Sequence, residues 1–260
     1  MELPEGSEYV ALGGSYAAGP GIGDRVPESP RLASRSTHNY AHLLAAKLKL
    51  RLTDVSFSGA TVAQILGRER GTAAPQLESV TADTRLVTLT GGGNDLGYIG
   101  YLVLASLPWL VRAVTGSSVR FAAMVDEAEF ERKSAALGDD LIALFDAIRA
   151  RAPRATIAVT DYLSLLPPDA AVNAHPLRRD AADRGRMYWT RVNLILRQAA
   201  ARAGAVFAEV SAASADRHAW SASPWTERFV LVGGKAAAYH PTRDGMAFVA
   251  NALEGALRNA

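Results

Sequence analysis

Five short apolar runs, Glu8–Leu12, Leu52–Ser56, Arg85–Thr90, Thr156–Thr160 and Ala205–Glu209, are separated by stretches long enough to hold helices. Short apolar runs bounded by Gly, Pro or polar clusters read as strands buried on both faces. Between them, apolar side chains recur at helical spacing: Leu43, Leu44 and Leu48 in Asn39–Lys49, Leu137, Leu141, Leu144, Phe145 and Ile148 in Glu127–Arg151, and Val192, Ile195 and Leu196 in Met187–Ala203. A last segment, Arg243–Leu257, carries Met246, Phe248, Val249 and Leu253, with Thr242 placed as its N-cap. Neighbouring parallel strands need a crossover, and a helix supplies it. The alternation therefore predicts an α/β fold of three layers, a mostly parallel five-stranded sheet with helices on both faces. The pattern continues across the loop-rich stretches Gly19–Thr37, Leu165–Pro176 and Ser211–Ala238, which predicts one domain over residues 1–260.

Composition removes several classes of function. With 28 Lys and Arg against 26 Asp and Glu, the formal charge is only +2, which is no footprint for a nucleic-acid partner. The absence of cysteine excludes disulfides, thiolate metal sites and a cysteine nucleophile. His38 and His42 stand four apart, but Asn39 holds the place where a zinc protease needs glutamate, so no metal and no cofactor is expected. Gly97–Val114 is the most apolar stretch, yet Pro108 interrupts it and Arg112 lies near its end. No integral membrane span is expected there; it reads instead as a buried or pocket-lining helix pair, with an apolar lid over about 97–123. Residues Met1–Gly6 lack a basic segment followed by an apolar one, so the chain as it stands reads as cytoplasmic, or as secreted if a leader has been removed. Oligomeric state is open.

Chemistry concentrates at the ends of strands. Ser15 follows the first apolar run in Gly13-Gly14-Ser15-Tyr16, Gly59 follows the second, and Gly92-Gly93-Asn94-Asp95 follows the third. In an open parallel sheet these positions lie at the carboxyl edge, where reactive groups gather. A serine hydroxyl needs a base to take its proton, and an acyl-transfer oxyanion needs donors fixed in advance, either backbone N–H groups or an asparagine amide. His240, followed by Pro241 and a capped terminal helix, is the histidine best placed as that base. Asp244 falls in the opening turn of that helix, where a carboxylate serves the helix dipole. The glycine-rich turn lacks the order of a dinucleotide fingerprint and no phosphate-binding Gly-Lys-Ser/Thr loop occurs, which disfavours nucleotide binding.

These four blocks, in this order, resemble the SGNH hydrolases, also called GDSL-type esterases and lipases. Gly13-Gly14-Ser15-Tyr16 is similar to the family's first block, Gly59 to its second-block glycine, Gly92-Gly93-Asn94-Asp95 to its third block and His240-Pro241 to its last. The resemblance spans nearly the whole chain. It implies hydrolysis of carboxylic esters through an acyl-enzyme, with Ser15 as nucleophile, His240 as base, and the Ser15 N–H, the Gly59 N–H and the Asn94 amide as oxyanion hole. Tyr16, Asp95, Tyr98 and Trp109 are expected to line a pocket for a small-molecule or lipid-like acyl ester. Two positions depart from the family: Gly14 replaces an aspartate of the first block, and Ala237 stands where an aspartate usually precedes the histidine. A main-chain carbonyl near Ala237 is then expected to orient the imidazole. A carbohydrate O-deacetylase of the same family and a catalytically impaired binding relative remain alternatives.

Overall fold

The computed structural model describes residues 3–169, 173–231 and 237–260; parts of two expected loops, 170–172 and 232–236, lie outside them. Strand β1 (Glu8–Gly13) runs straight into the single-turn helix α1 (Ser15–Ala18), then α2 (Tyr40–Leu48) returns the chain to β2 (Arg51–Asp54). Helix α3 (Val62–Leu66) leads to β3 (Thr84–Thr90), followed by the short α4 (Gly93–Leu96), α5 (Tyr98–Ser106), α6 (Trp109–Val114) and α7 (Ser117–Met124). Long helices α8 (Glu127–Arg151) and α9 (Arg179–Ala203) flank β4 (Thr156–Thr160), and β5 (Val206–Ala208) precedes the closing α10 (Arg243–Arg258).

The sheet has the order β2-β1-β3-β4-β5, and every pair is parallel. The chain steps outward from β1 to β2, then crosses back to place β3 on the other side of β1. Connections leaving β1 and β3 therefore diverge to opposite faces and open a crevice between the two strand ends. The period-two alternation of side chains builds the two cores. Val10, Leu12, Val87, Leu89, Ile157 and Val159 meet α3, α8 and α9 on one face. Tyr9, Ala11, Leu86 and Ala158 meet α2 and α10 on the other. This is the expected α/β architecture, with helices on both faces of a five-stranded parallel sheet.

Boundaries differ from the sequence reading where side chains intervene. β2 ends at Asp54 rather than Ser56, because the Asp54 carboxylate accepts the Ser56 N–H at 3.0 Å and its hydroxyl at 2.6 Å, turning the chain out of the ladder. α9 begins eight residues before Met187, in a run whose buried members are the small Ala181, Ala182 and Gly185. A Cβ on Gly185 would stand 2.7 Å from Leu102 and 2.8 Å from Leu166, so close packing, not apolar periodicity, binds this first part of the helix. Within the 97–123 stretch α5 is buried, while α6 and α7 bury no residue. No helix among the described residues is long and apolar enough to cross a membrane.

Candidate active site

Ser15 is the first residue of α1, immediately beyond β1, and three glycine-dependent approaches put it there. Gly13 has φ of +144°, and a Cβ at this position would lie 2.4 Å from the Thr90 carbonyl oxygen and 2.7 Å from Ala17 Cβ. Only glycine lets β1 turn this close to the end of β3. Gln76 grips the same peptide from below: its carboxamide oxygen accepts the Gly13 N–H at 2.8 Å and its nitrogen donates to the Gly13 carbonyl at 2.9 Å. The Gly14 N–H donates to the Thr90 carbonyl at 3.1 Å, bridging β1 to β3. As the first N–H of a helix, that of Ser15 has no acceptor inside the helix and points out of its N-terminus.

The loops after β2 and β3 are stitched to each other. Asn94 Nδ2 donates to the Ala60 carbonyl at 2.9 Å, and Asp95 Oδ1 accepts the Val62 N–H at 2.9 Å, so adjacent residues bind in opposite senses. One amide hydrogen of Asn94 is used this way, and the other has no acceptor among the described residues. Gly59 is exposed with φ of +87°, and its N–H has no acceptor among the described residues. Gly14, the departure from the family's first block, sits under the Asn94 amide: a Cβ there would come within 2.8 Å of Nδ2. The missing side chain lets the amide close over the nucleophile loop. Burial pushes the Asp95 carboxyl up to about 6, partly offset by the Val62 N–H.

His240 closes the arrangement from the far end of the chain. Its Nε2 lies 2.7 Å from Ser15 Oγ, and its Nδ1 lies 2.8 Å from the Ala238 carbonyl oxygen. A carbonyl can only accept, so Nδ1 carries the proton and Nε2 presents its lone pair to the serine hydroxyl. The acceptor is one residue on from Ala237, whose carbonyl instead takes the His240 main-chain N–H at 3.3 Å. Burial pushes the imidazole below its ordinary value, while the Ala238 and Ala237 carbonyls pull it back up. Asp244 is exposed in the first turn of α10 and makes no hydrogen bond to His240 among the described residues.

What holds this loop was not legible in the sequence. Tyr239 is fully buried with φ of +63°, an uncommon conformation for a bulky residue. Its carbonyl accepts the Tyr16 hydroxyl at 2.7 Å, and its own hydroxyl pairs with Ser106 Oγ at 2.6 Å. Thr226 and Pro241 form an isolated antiparallel bridge, and Glu227 exchanges main-chain hydrogen bonds with Tyr239 and His240 at 2.9 and 2.8 Å. Gly245 fits under the Trp225 carbonyl, 2.2 Å from where a Cβ would stand, which seats α10 against the 223–225 segment.

The four expected pocket residues have different surroundings. Tyr16 is a buried strut beneath the His240 loop, and Asp95 ties the β3 loop to α3. Trp109 is exposed at the start of α6, since Pro108 turns the chain out of the core there. Tyr98 lines a cavity of about 250 Å³, with Leu165, Leu166, Pro167, Arg186 and Trp189. Tyr98, Tyr162 and Tyr16 form a row of rings, 6.2 and 4.5 Å between centroids, that connects this cavity to the nucleophile loop. Tyr162 also accepts the Gly93 N–H at 2.9 Å. A second cavity of about 490 Å³ lies beside the His240 loop, walled by Ser106, Pro108, His175, Pro176, Arg228, Phe229, Val230 and Leu231. Gln76, Tyr162 and Tyr239 carry no sequence motif. Their roles arise from contacts between residues far apart in the chain.

Comparison with known proteins gives this geometry a context. The model of the GDSL-like Lipase/Acylhydrolase family matches residues 11–248, which include Ser15, Gly59, Asn94 and His240. Lipase 2 of Streptomyces coelicolor is 32% identical over 249 residues, covering 92% of this chain and 81% of that protein. A lipase of Streptomyces rimosus is 30% identical over 244 residues, covering 93% and 83%. The crystal structure of the extracellular lipase from Streptomyces rimosus superposes with a TM-score of 0.73 at 27% identity, over 96% of this chain and 99% of that one. Phospholipase A1 from Streptomyces albidoflavus superposes with a TM-score of 0.74 at 23% identity, over 95% and 99%, a likeness of fold.

Proposed function

Since the chain belongs to the GDSL-like lipase and acylhydrolase family and is a serine hydrolase of carboxylic esters, we propose that Ser15 and His240 form its catalytic dyad. The observation that carries this reading is the 2.7 Å approach of His240 Nε2 to Ser15 Oγ. The imidazole, neutral at pH 7 because burial disfavours its charge, takes the hydroxyl proton as Oγ attacks the ester carbonyl carbon. The oxyanion then receives the Ser15 N–H, the Gly59 N–H and the free Asn94 amide hydrogen. Collapse breaks the bond to the alkoxy oxygen, which leaves as the alcohol with the proton from Nε2. A water then repeats the sequence on the acyl-enzyme and regenerates Ser15. The Ala238 carbonyl replaces the usual aspartate as the acceptor that fixes the tautomer and steadies the imidazolium. An intact serine–histidine contact and an occupied Nδ1 favour a working enzyme over a silent relative.

The preferred substrates are lipid-like or short-to-medium acyl esters, with the acyl chain along the apolar cavity of Phe229, Val230 and Leu231. Phe229, Val230 and Leu231 favour a hydrocarbon chain, while Ser106, His175 and Arg228 offer polar contacts to the rest of the ester. The extracellular relative from Streptomyces rimosus supports a site of action outside the cell. The test combines a fluorophosphonate probe with a chromogenic ester series of increasing chain length. One adduct on Ser15, no labelling of Ser15→Ala, and turnover rising from acetyl to medium chains are expected. An adduct on another serine in an active preparation would reassign the nucleophile.

A further inference from the structure

Of the nine large apolar side chains exposed among the described residues, seven lie on α6, α7 and the adjoining 230–231 segment. Trp109 is 68% exposed, Val114 86%, Val119 80% and Leu231 60%. Scattered apolar residues on a surface need no explanation, but a concentration of this kind marks a binding face. It is built, not frayed: on its inner side Phe121 stacks on Tyr101 at 5.5 Å, and the Arg112 guanidinium lies 4.6 Å from the Phe121 ring centre. Arg112 also donates to the Leu104 and Leu107 carbonyls at 2.9 and 3.1 Å, closing the end of α5. Pro108 and Leu231 wall the same cavity, which reaches the His240 loop through Ser106 and Phe229, both against Tyr239.

Charge identifies the occupant. No Asp or Glu occurs between Leu96 and Val125, whereas Arg112 and Arg120 do. Arg120 and, across the cavity, Arg228 are exposed and make no ion pair among the described residues. A second copy docking through the same face would set these guanidiniums against each other with no carboxylate between them. An anionic lipid surface instead offers hydrocarbon to the valines, the headgroup boundary to Trp109 and negative charge to the arginines. We propose that α6, α7 and the 230–231 segment dock the enzyme onto anionic lipid surfaces, with the cavity beside the His240 loop facing the lipid. The docking surface stands on its own observations; only the delivery of acyl chains to Ser15 rests on the ester-hydrolase reading.

The test is co-sedimentation of the full chain with phosphatidylcholine vesicles, with and without about one third phosphatidylglycerol, alongside turnover of a water-soluble short-chain ester. Binding is expected to the anionic vesicles, weakening with added salt as the guanidinium attraction is screened. The Val114→Asp, Val119→Asp double variant should bind these vesicles about tenfold more weakly, from lost apolar burial and added negative charge, with soluble-ester turnover unchanged. Arg120→Gln should weaken binding to anionic vesicles by about fivefold and leave the residual binding to phosphatidylcholine unaffected. No sedimentation of the unaltered chain, or equal binding by the double variant, would overturn the proposal. So would a concentration-dependent dimer dispersed by Val114→Asp without vesicle binding, which would give the face to a second copy. Vesicle binding without soluble-ester turnover would leave docking standing and remove the hydrolase reading instead.

Discussion

Ser15 and Asn94 stand on loops bolted to central strands, with Gln76 gripping Gly13 through two hydrogen bonds and Asn94 and Asp95 sewing the β3 loop to Ala60 and Val62. His240 sits instead on a connection held from three directions: by Tyr16 at the Tyr239 carbonyl, by Ser106 at the Tyr239 hydroxyl, and by the paired main-chain hydrogen bonds of Glu227. The first half is positioned by glycines that permit close backbone approach, the second by buried tyrosines that hold a strained loop. That difference explains how the site keeps its geometry with alanine at position 237. On a loop held this way, a main-chain carbonyl is already fixed where a carboxylate would otherwise be needed.

The largest expected effects come from the two groups that meet across this divide. Ser15→Ala and His240→Ala should each lower kcat by about a thousandfold or more, because proton transfer and nucleophile act as a unit. The double variant should be scarcely worse than either single one. Additive losses, measured in single-turnover assays, would show that the two halves act separately. Asn94→Ala comes next. One oxyanion donor is worth roughly 3 kcal/mol in the transition state, so kcat should fall about a hundredfold with little change in KM. A raised KM with kcat held would make Asn94 a ground-state contact.

Cutting one support on each side sharpens the contrast further. Tyr16→Phe removes the donor to the Tyr239 carbonyl and should lower kcat about tenfold, with KM unmoved and the fold intact by circular dichroism. Gln76→Ala strips the Gly13 N–H and carbonyl of their side-chain partner, and leaving a buried group unsatisfied costs about 1–3 kcal/mol, read by chemical denaturation. Equal effects of both on kcat and stability would erase the distinction between the two halves of the site.

The bolted half was the legible half. Its glycines, Asn94 and Ser15 recur at strand ends because backbone approach and reactive-group placement demand those residue types at those places. The five strands and the later helices were equally readable from apolar periodicity, as were Thr242 capping α10 and the sheet's parallel sense. The supports of His240 were not, since Tyr16, Tyr239 and Ser106 come from three distant segments and signal nothing locally. The hydrogen bonds of Tyr16 and Asp95 were illegible for a related reason: a residue next to a motif is as readily part of its scaffold as of its pocket. Within 97–123, composition alone cannot tell the buried α5 from α6 and α7, which present apolar residues outward.

A smaller effect follows from the charge state of the base. Burial holds the His240 imidazole below the usual value of about 6.5, and its protonated form cannot accept the Ser15 proton. Activity should therefore be full at neutral pH and be lost as pH falls through that depressed value, so the acid limb of kcat/KM should have its midpoint below 6.5. A midpoint above it would mean that a carboxylate, not a carbonyl, faces Nδ1.

The smallest effect expected is also the most direct test of how the base is held. Asp244 is four residues beyond His240 and is the acid that chain position would nominate to replace the missing aspartate. It is exposed, in the first turn of α10, where its charge meets the positive end of the helix dipole, and Nδ1 is already engaged by the Ala238 carbonyl. Asp244→Asn should thus leave kcat within a fewfold and reduce stability by about 0.5 kcal/mol, less at high salt. A collapse of kcat with the denaturation midpoint unchanged would give Nδ1 a carboxylate partner during turnover. The His240 loop would then be rearranging around a charge rather than resting on its own backbone.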